Sequence, residues 1–356
     1  MAAYTTIDDP TQYFNTVLRS GLYGGSDTAF TVGFQPDWIW DKRRSDTSVH
    51  ALFDSVRGFG ASGKVLYSNT NGAEATNALI DSVSSTGFTI KASADNTGTL
   101  VDWCWKASGS TASNTDGSTT STVSANTTAG FSIVSYTGAG ATTYGHGLGA
   151  TPNVIIIKKR TSDSGNNNWF VYHDKVITAG GSNKSFLTLN ETGALASNGS
   201  ATTFTSVSST TFGVGTDDII SESSHTFIAY CFAEIKGYSK FGSYTGNGNA
   251  DGTFVYTGFK PAFVLLKNAD EVEQWWIFDN KRNAYDGNFR YYSLNPNATS
   301  AEGTTSGDNN HIDFLSNGFK LRTTAQQLNG ASDNFIYMAF AESPFTNSNG
   351  TPNNAE

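Results

Sequence analysis

Gly149-Ala150-Thr151-Pro152, followed by Val154-Ile155-Ile156-Ile157, reads as a turn that launches a continuously apolar strand. The same phrase stands twice more. Gly33-Phe34-Gln35-Pro36 precedes Trp38-Ile39-Trp40, and Gly258-Phe259-Lys260-Pro261 precedes Phe263-Val264-Leu265-Leu266. The prolines lie 116 and 109 residues apart. One match would mean little, but the landmarks downstream recur in the same order. Eighteen to twenty-two residues after each Pro, an Asp closes an apolar stretch: Asp54, Asp174 and Asp279. A short strand then runs into Asn69, Asn190 and Asn295, and an alternating segment is centred on Phe88, Phe212 and Phe319. Each copy closes with an aromatic-rich strand, at residues 101–107, 228–234 and 336–342. An opening strand recurs at residues 131–138 and 238–246, with a looser version at 14–21.

Within the copies apolar and polar residues alternate in short runs, and turn residues separate the runs, which predicts strands with one face in a core and one in water. The strands after the prolines are apolar throughout, as expected where both faces are covered. The expected fold class is all-β: three tandem β-sandwich, or jelly-roll-like, modules of about 110 residues with little helix. The expected units are residues 1–108, 109–235 and 236–345, with a flexible tail over 346–356. The polar stretch from Ser108 to Thr128 reads as a linker at the start of the second unit, and Lys236-Gly237 as a tight junction before the third. One helical turn is predicted at Asp8-Asp9-Pro10-Thr11-Gln12, where an Asp cap precedes a Pro suited to the first helical position.

The 356 residues carry a formal net charge of −9, and no basic run is longer than Lys42-Arg43-Arg44. A nucleic-acid partner needs a basic face, so none is expected. No stretch reaches the roughly 18 to 20 apolar residues of a membrane span, and the first residues have neither the charge nor the apolar core of a secretory signal. The sequence reads as that of a soluble protein made in a cytoplasm.

Candidate chemistry is sparse. Cys104 and Cys231 occupy matching places in two copies, where the third has Ala339, and read as small buried residues. His146 and His173 come without a nucleophile pattern. Asp54, Asp174 and Asp279 read as turn caps, because glycoside hydrolysis needs two carboxyl groups and one Asp per copy supplies one. Asp217, Asp218 and Asp313 lack the spacing of a calcium loop, so no metal and no cofactor is expected. Sequons at Asn126, Asn183, Asn190, Asn198 and Asn297 read as coincidence in a chain this rich in Asn, Ser and Thr. The aromatic candidates for ligand contact are Trp38, Trp40, Trp103, Trp105, Trp169 and Trp275, read either as sugar-stacking platforms or as core.

The run from Tyr4-Thr5-Thr6-Ile7-Asp8-Asp9-Pro10 to Tyr13-Phe14 resembles virion proteins of tailed bacteriophages, marine ones in particular. So do Gly33-Phe34-Gln35-Pro36-Asp37-Trp38, residues 52–58, residues 237–246 and the closing Met338-Ala339-Phe340-Ala341-Glu342-Ser343-Pro344-Phe345. The resemblance covers essentially the whole chain. It implies a non-enzymatic virion surface protein assembled in bacterial cytoplasm: a tail fibre or receptor-binding component contacting host glycans, or alternatively a capsid decoration or head-fibre protein. The partners it implies are other virion proteins and host cell-surface polysaccharide, with a homo-oligomer, a trimer in particular, as the expected assembly. A depolymerase is a third reading, which the missing carboxylate pair disfavours.

Overall fold

The computed structural model describes residues 4–22, 24–94, 97–161, 167–180, 185–196, 203–216, 218–282, 288–303 and 311–353. Their regular secondary structure is almost entirely strand, paired in antiparallel sheets. In the first third of the chain the opening strand Phe14–Ser20 pairs with the closing strand Thr99–Trp105. That strand pairs with the post-proline strand Trp38–Arg43, and His50–Asp54 and Lys64–Tyr67 follow outward. The second third has the same order: Phe131–Thr137, Thr226–Phe232, Val154–Lys159, Trp169–His173, Leu187–Thr188. In the last third, Ser239–Thr245, Asn334–Pro344, Phe259–Asn268 and Trp275–Asp279 repeat it, and a single bridge from Ile277 to Leu294 takes the place of the fifth strand.

A smaller sheet covers each large one. These are Thr28–Thr31, Gly87–Ile90 and Ile80–Ser84; then Thr142–Gly145, Thr211–Val214 and Phe204–Val207; then Phe254–Tyr256, Gly318–Leu321, Ile312–Leu315 and, as a fourth strand, Phe289–Arg290. Because side chains alternate along a strand, each large sheet has two apolar faces. One packs on its own small sheet: Ile39, Phe53, Val65, Phe88 and Cys104 make one such core, with matching cores in the second and third copies. The other face joins a single central core built from all three copies, which includes Trp38, Trp105, Phe131, Phe232, Phe263 and Phe340.

The polar stretch after Ser108 corrects the linker expectation. Ala112–Asn114 and Ser121–Asn126 are strands that extend the second large sheet to seven. The predicted helical turn forms as a 3-10 helix, Pro10–Gln12, with the Asp9 carboxylate accepting from the Thr11 amide. The start of the tail is tied down: Thr346 bridges to Pro352, and Ser348 donates from both its amide and hydroxyl to Asp8. Its last three residues lie outside the described ones.

Equivalent hydrogen bonds run round the three copies in one direction. The amide of Glu74 donates to the Arg160 carbonyl, that of Leu195 to Ala269, and that of Glu302 to Arg44, at 2.7–2.9 Å. In the opposite sense, Trp169 Nε1 donates to the Tyr67 carbonyl and Trp275 Nε1 to the Thr188 carbonyl. His50 takes the same place against the backbone of Asn295, although its Nε2 closes no hydrogen bond. Three lysines at one register position, Lys42, Lys158 and Lys267, are fully buried and donate to backbone carbonyls. Lys42 and Lys158 reach into the next copy, to Thr299 and Asn71.

Two of the three junctions add a buried ionic relay. Asp54 accepts from Arg57 Nε (2.5 Å) and from the Tyr230 hydroxyl of the second copy (2.7 Å). Arg57 in turn faces Glu74, which is held by Arg160. Asp279 accepts from Arg282 Nε (2.5 Å) and from Trp103 Nε1 of the first copy (2.9 Å), while Arg282 pairs with Glu302, which Arg44 clamps. At the third junction Leu195 and Ala269 stand in place of the Glu and the second Arg, and His173 faces the Tyr337 carbonyl. Removing one partner of a buried ion pair strands the other charge. Asp54→Ala is therefore expected to lower unfolding free energy by about 3–5 kcal/mol, read by urea denaturation. The double replacement of Asp54 and Arg57 by Leu is expected to recover most of it, since the third junction works without the pair.

Candidate functional site

All six candidate tryptophans lie in the central core at 0–2% exposure. Trp38 stacks on Tyr230 with ring centroids 4.4 Å apart, and Trp105 meets Phe340 edge-on. Of the two readings of these residues, core is the one the structure places them in, because no sugar ring reaches a side chain that water does not.

The recurring aspartates are not one position. Trp38 pairs with Asp54 and Phe263 with Asp279, but Val154 pairs with His173, so His173 takes the aspartate's place and Asp174 lies one residue beyond. The same register makes Asn297, rather than Asn295, the counterpart of Asn69 and Asn190. Each accepts the amide of the residue that opens the neighbouring strand: His50, Trp169 and Trp275. Tyr144 matches Phe30 and Val255, and His146 lies two residues beyond it.

Nδ2 of Asn126, Asn190 and Asn297 each donates within the chain, which agrees with reading these sequons as coincidence; Asn183 and Asn198 lie outside the described residues. Cys104 and Cys231 are free and buried, and burial pushes both thiols up. His146 is buried and bonded to the backbone of Ser208 and Leu148. Asp313 pairs with Arg322, Asp218 begins a short helix, and Asp217 lies outside the described residues. Among the described residues no group of three His, Cys, Asp or Glu is placed to hold a metal ion.

The candidate site the structure does offer is a surface groove of about 460 Å3 beside the tight turn between the second and third copies. That turn depends on Gly237, at φ +79°, with the Tyr238 amide bonded to the Ile235 carbonyl. Tyr4 lies across the groove, its hydroxyl donating to the Gly258 carbonyl (2.9 Å) and meeting the Tyr256 hydroxyl (3.1 Å). Burial and the Tyr256 hydroxyl push the Tyr4 phenol up, so it stays neutral and able to donate. Lys236 holds its ammonium 4.6 Å from the centre of the Tyr4 ring, a cation–π contact, and has no carboxylate partner among the described residues. Lys240 pairs with Glu234 at 2.7 Å.

On the neighbouring edge strand Val255 enters the core, while Phe254 and Tyr256 are 44% and 54% exposed. Phenol rings beside an unpaired ammonium offer an apolar face, hydroxyl partners and a positive charge together. The sequence carries a signal for this site. At the positions of Phe254 and Tyr256 the other copies have Ala29 and Thr31, and Thr143 and Gly145, so outward aromatics belong to the third copy alone.

The chain belongs to the family described as domain of unknown function DUF7483, which matches residues 9–344. The match spans all three copies, so the unit this family defines is the whole closed body. No curated protein and no solved structure matches the chain.

His173 gives the second copy a pH response. Its Nε2 lies 3.3 Å from the Tyr337 carbonyl of the third copy. Burial lowers its pKa to about 4, against the opposing pull of Tyr337 and Asp174. It is neutral in the fold, while the unfolded chain protonates it below about pH 6.5. The stability this confers is complete above that pH and lost as pH falls toward 4. His173→Gln is thus expected to gain on the wild type by about 2 kcal/mol between pH 7 and pH 5, measured as the difference between urea unfolding free energies at the two pH values.

Proposed function

We propose that the protein is a non-enzymatic bacteriophage virion surface protein, a tail-fibre or receptor-binding component that engages host surface glycans at the groove of Tyr4, Tyr256 and Lys236. The observation that carries the reading is the distribution of aromatic side chains. The tryptophans are buried, whereas among the described residues tyrosine and phenylalanine are left in the open, beside a lysine with no carboxylate partner, in one copy only. A pyranose packs its C–H face on such rings, and its hydroxyls or a carboxylate meet the phenols and the ammonium.

The resemblance of the N-terminal, junction and closing segments to tailed-phage virion proteins supports the location. The ion pairs that engage Asp54, Asp279 and Glu302 support a non-catalytic reading, because these carboxylates are already committed to arginines. Three copies round one core give a single chain the body plan of a trimer, so the trimeric symmetry expected of an attachment protein is here supplied within the chain.

Fluorescently labelled protein is expected to bind host cells and to compete with phage adsorption. Tyr256→Ala and Lys236→Ala, both at the surface, are each expected to weaken cell binding about tenfold, a loss near 1.4 kcal/mol, with unchanged urea midpoints. Absence of cell binding overturns the receptor-binding role. Antibody labelling confined to the head of intact particles points instead to capsid decoration.

A further inference from the structure

Tyr4 and Tyr256 each have one hydroxyl hydrogen, and the hydrogen bonds of the groove fix where both go. The Tyr4 hydroxyl donates to the Gly258 carbonyl (2.9 Å), so in its contact with Tyr256 (3.1 Å) Tyr4 accepts and Tyr256 donates. The Tyr256 hydroxyl is left with a lone pair to offer. A ligand meets that oxygen with a donor, such as a sugar hydroxyl, and finds no free phenolic hydrogen for a carboxylate. Whether the groove takes an anionic group therefore depends on its lysines.

The side chains lining the groove carry three charges, on Glu234, Lys236 and Lys240. Lys240 and Glu234 pair at 2.7 Å and cancel. Lys236 is exposed, and its ammonium has the face of the Tyr4 ring as its partner, 4.6 Å from the ring centre. An ammonium has three N–H donors, and a π face on one side leaves the others to a ligand. Among the described lining residues the groove thus keeps a surplus of one positive charge, in a chain whose formal charge is −9. At 0.1 M salt the distant negative charges are screened beyond about 10 Å, so the local lysine decides. The segment leading into Tyr4 is Met1-Ala2-Ala3, which contains no acidic side chain.

The repeat shows that folding does not require this lysine. Counted from the paired residues Trp105, Phe232 and Phe340, the other copies have Gly109 and Pro344 where the second has Lys236. Among the described residues no arginine lines the groove. A phosphate, with up to two charges and three acceptor oxygens, calls for such a fork of donors. A carboxylate carries one charge and is matched by one ammonium.

The geometry points to a hexuronate, a sugar that carries a carboxylate, as the ligand of this groove: its carboxylate meets Lys236, a ring hydroxyl donates to the Tyr256 oxygen, and its C–H face lies on the Tyr256 ring. This rests on the glycan reading of the same groove and narrows it from any sugar to an acidic one. The probes are trigalacturonate and its fully methyl-esterified form, which share rings and ring hydroxyls and differ in charge. Full-length protein is titrated with each by calorimetry, beside the cell-binding assay. At about 50 mM salt the acid is expected to bind about fivefold more tightly than the ester, a difference near 1 kcal/mol. Raising the salt to about 500 mM is expected to shrink that preference. Lys236→Gln is expected to abolish it, whereas Tyr256→Ala is expected to weaken both ligands and keep their ratio.

Equal binding of acid and ester, tighter binding of the ester, or a preference that survives Lys236→Gln overturns the acidic ligand and leaves the groove reading standing. Competition by glucose 6-phosphate at lower concentration than by galacturonate overturns the choice of carboxylate. If neither probe binds while host cells are bound and Tyr256→Ala weakens that binding, the hexuronate falls and the groove again stands. If neither probe nor cells are bound, both readings fall together.

Discussion

Each large sheet in this chain carries apolar side chains on both faces, and its small sheet covers only one of them. The uncovered face of any one copy would expose tryptophan, phenylalanine and isoleucine, an area far beyond what an isolated domain tolerates. The other two copies supply the cover. This requirement makes the three copies one body, since the central core draws residues from every closing strand and every post-proline strand. It also explains why those strands read as unbroken apolar runs, with Ile155 and Ile157 turned to one core and Val154 and Ile156 to the other.

The junctions show how unlike side chains fill one common backbone geometry. The backbone bonds from Glu74, Leu195 and Glu302 are the same bond made three times. Around two of them the side chains form Asp–Arg–Glu–Arg relays, and around the third they are apolar with His173 at the head. Packing demands only that the space be filled and the backbone paired. The ionic and apolar versions both satisfy that demand, which is why a buried ion pair here is weak evidence for stability. Trp38 and Trp105 add a cost of their own, because their indole N–H groups are buried without an acceptor. They are tolerated at the centre of a dense aromatic cluster.

Repetition also separates what folding needs from what it does not. Residues alike in all three copies are explained by the common core. The outward aromatics Phe254 and Tyr256 and the groove lysine Lys236 each occur in one copy, where the other two keep small, polar or apolar residues. They therefore stand apart from the scaffold, and they lie on the surface, where a rigid body presents its variable parts.

The sequence by itself determined the all-β class, the order of landmarks in each copy, the Asp9-capped turn and the burial of Cys104 and Cys231. These follow from local alternation and turn chemistry, which act over a few residues and leave their period in the chain. It did not determine the linker, because Ser, Thr and Asn serve an exposed edge strand as well as a flexible segment, and Ala112–Asn114 and Ser121–Asn126 are such strands. The pairing of His173 with Val154 in the aspartate's place also escaped it, since a one-residue shift is invisible until strands are laid side by side. Whether the tryptophans faced water was undecided for a related reason: alternation tells which residues share a face, and only tertiary packing tells what covers it. The groove at Tyr4 joins residues 254 positions apart. Only the closing of three sheets on one core brings them together.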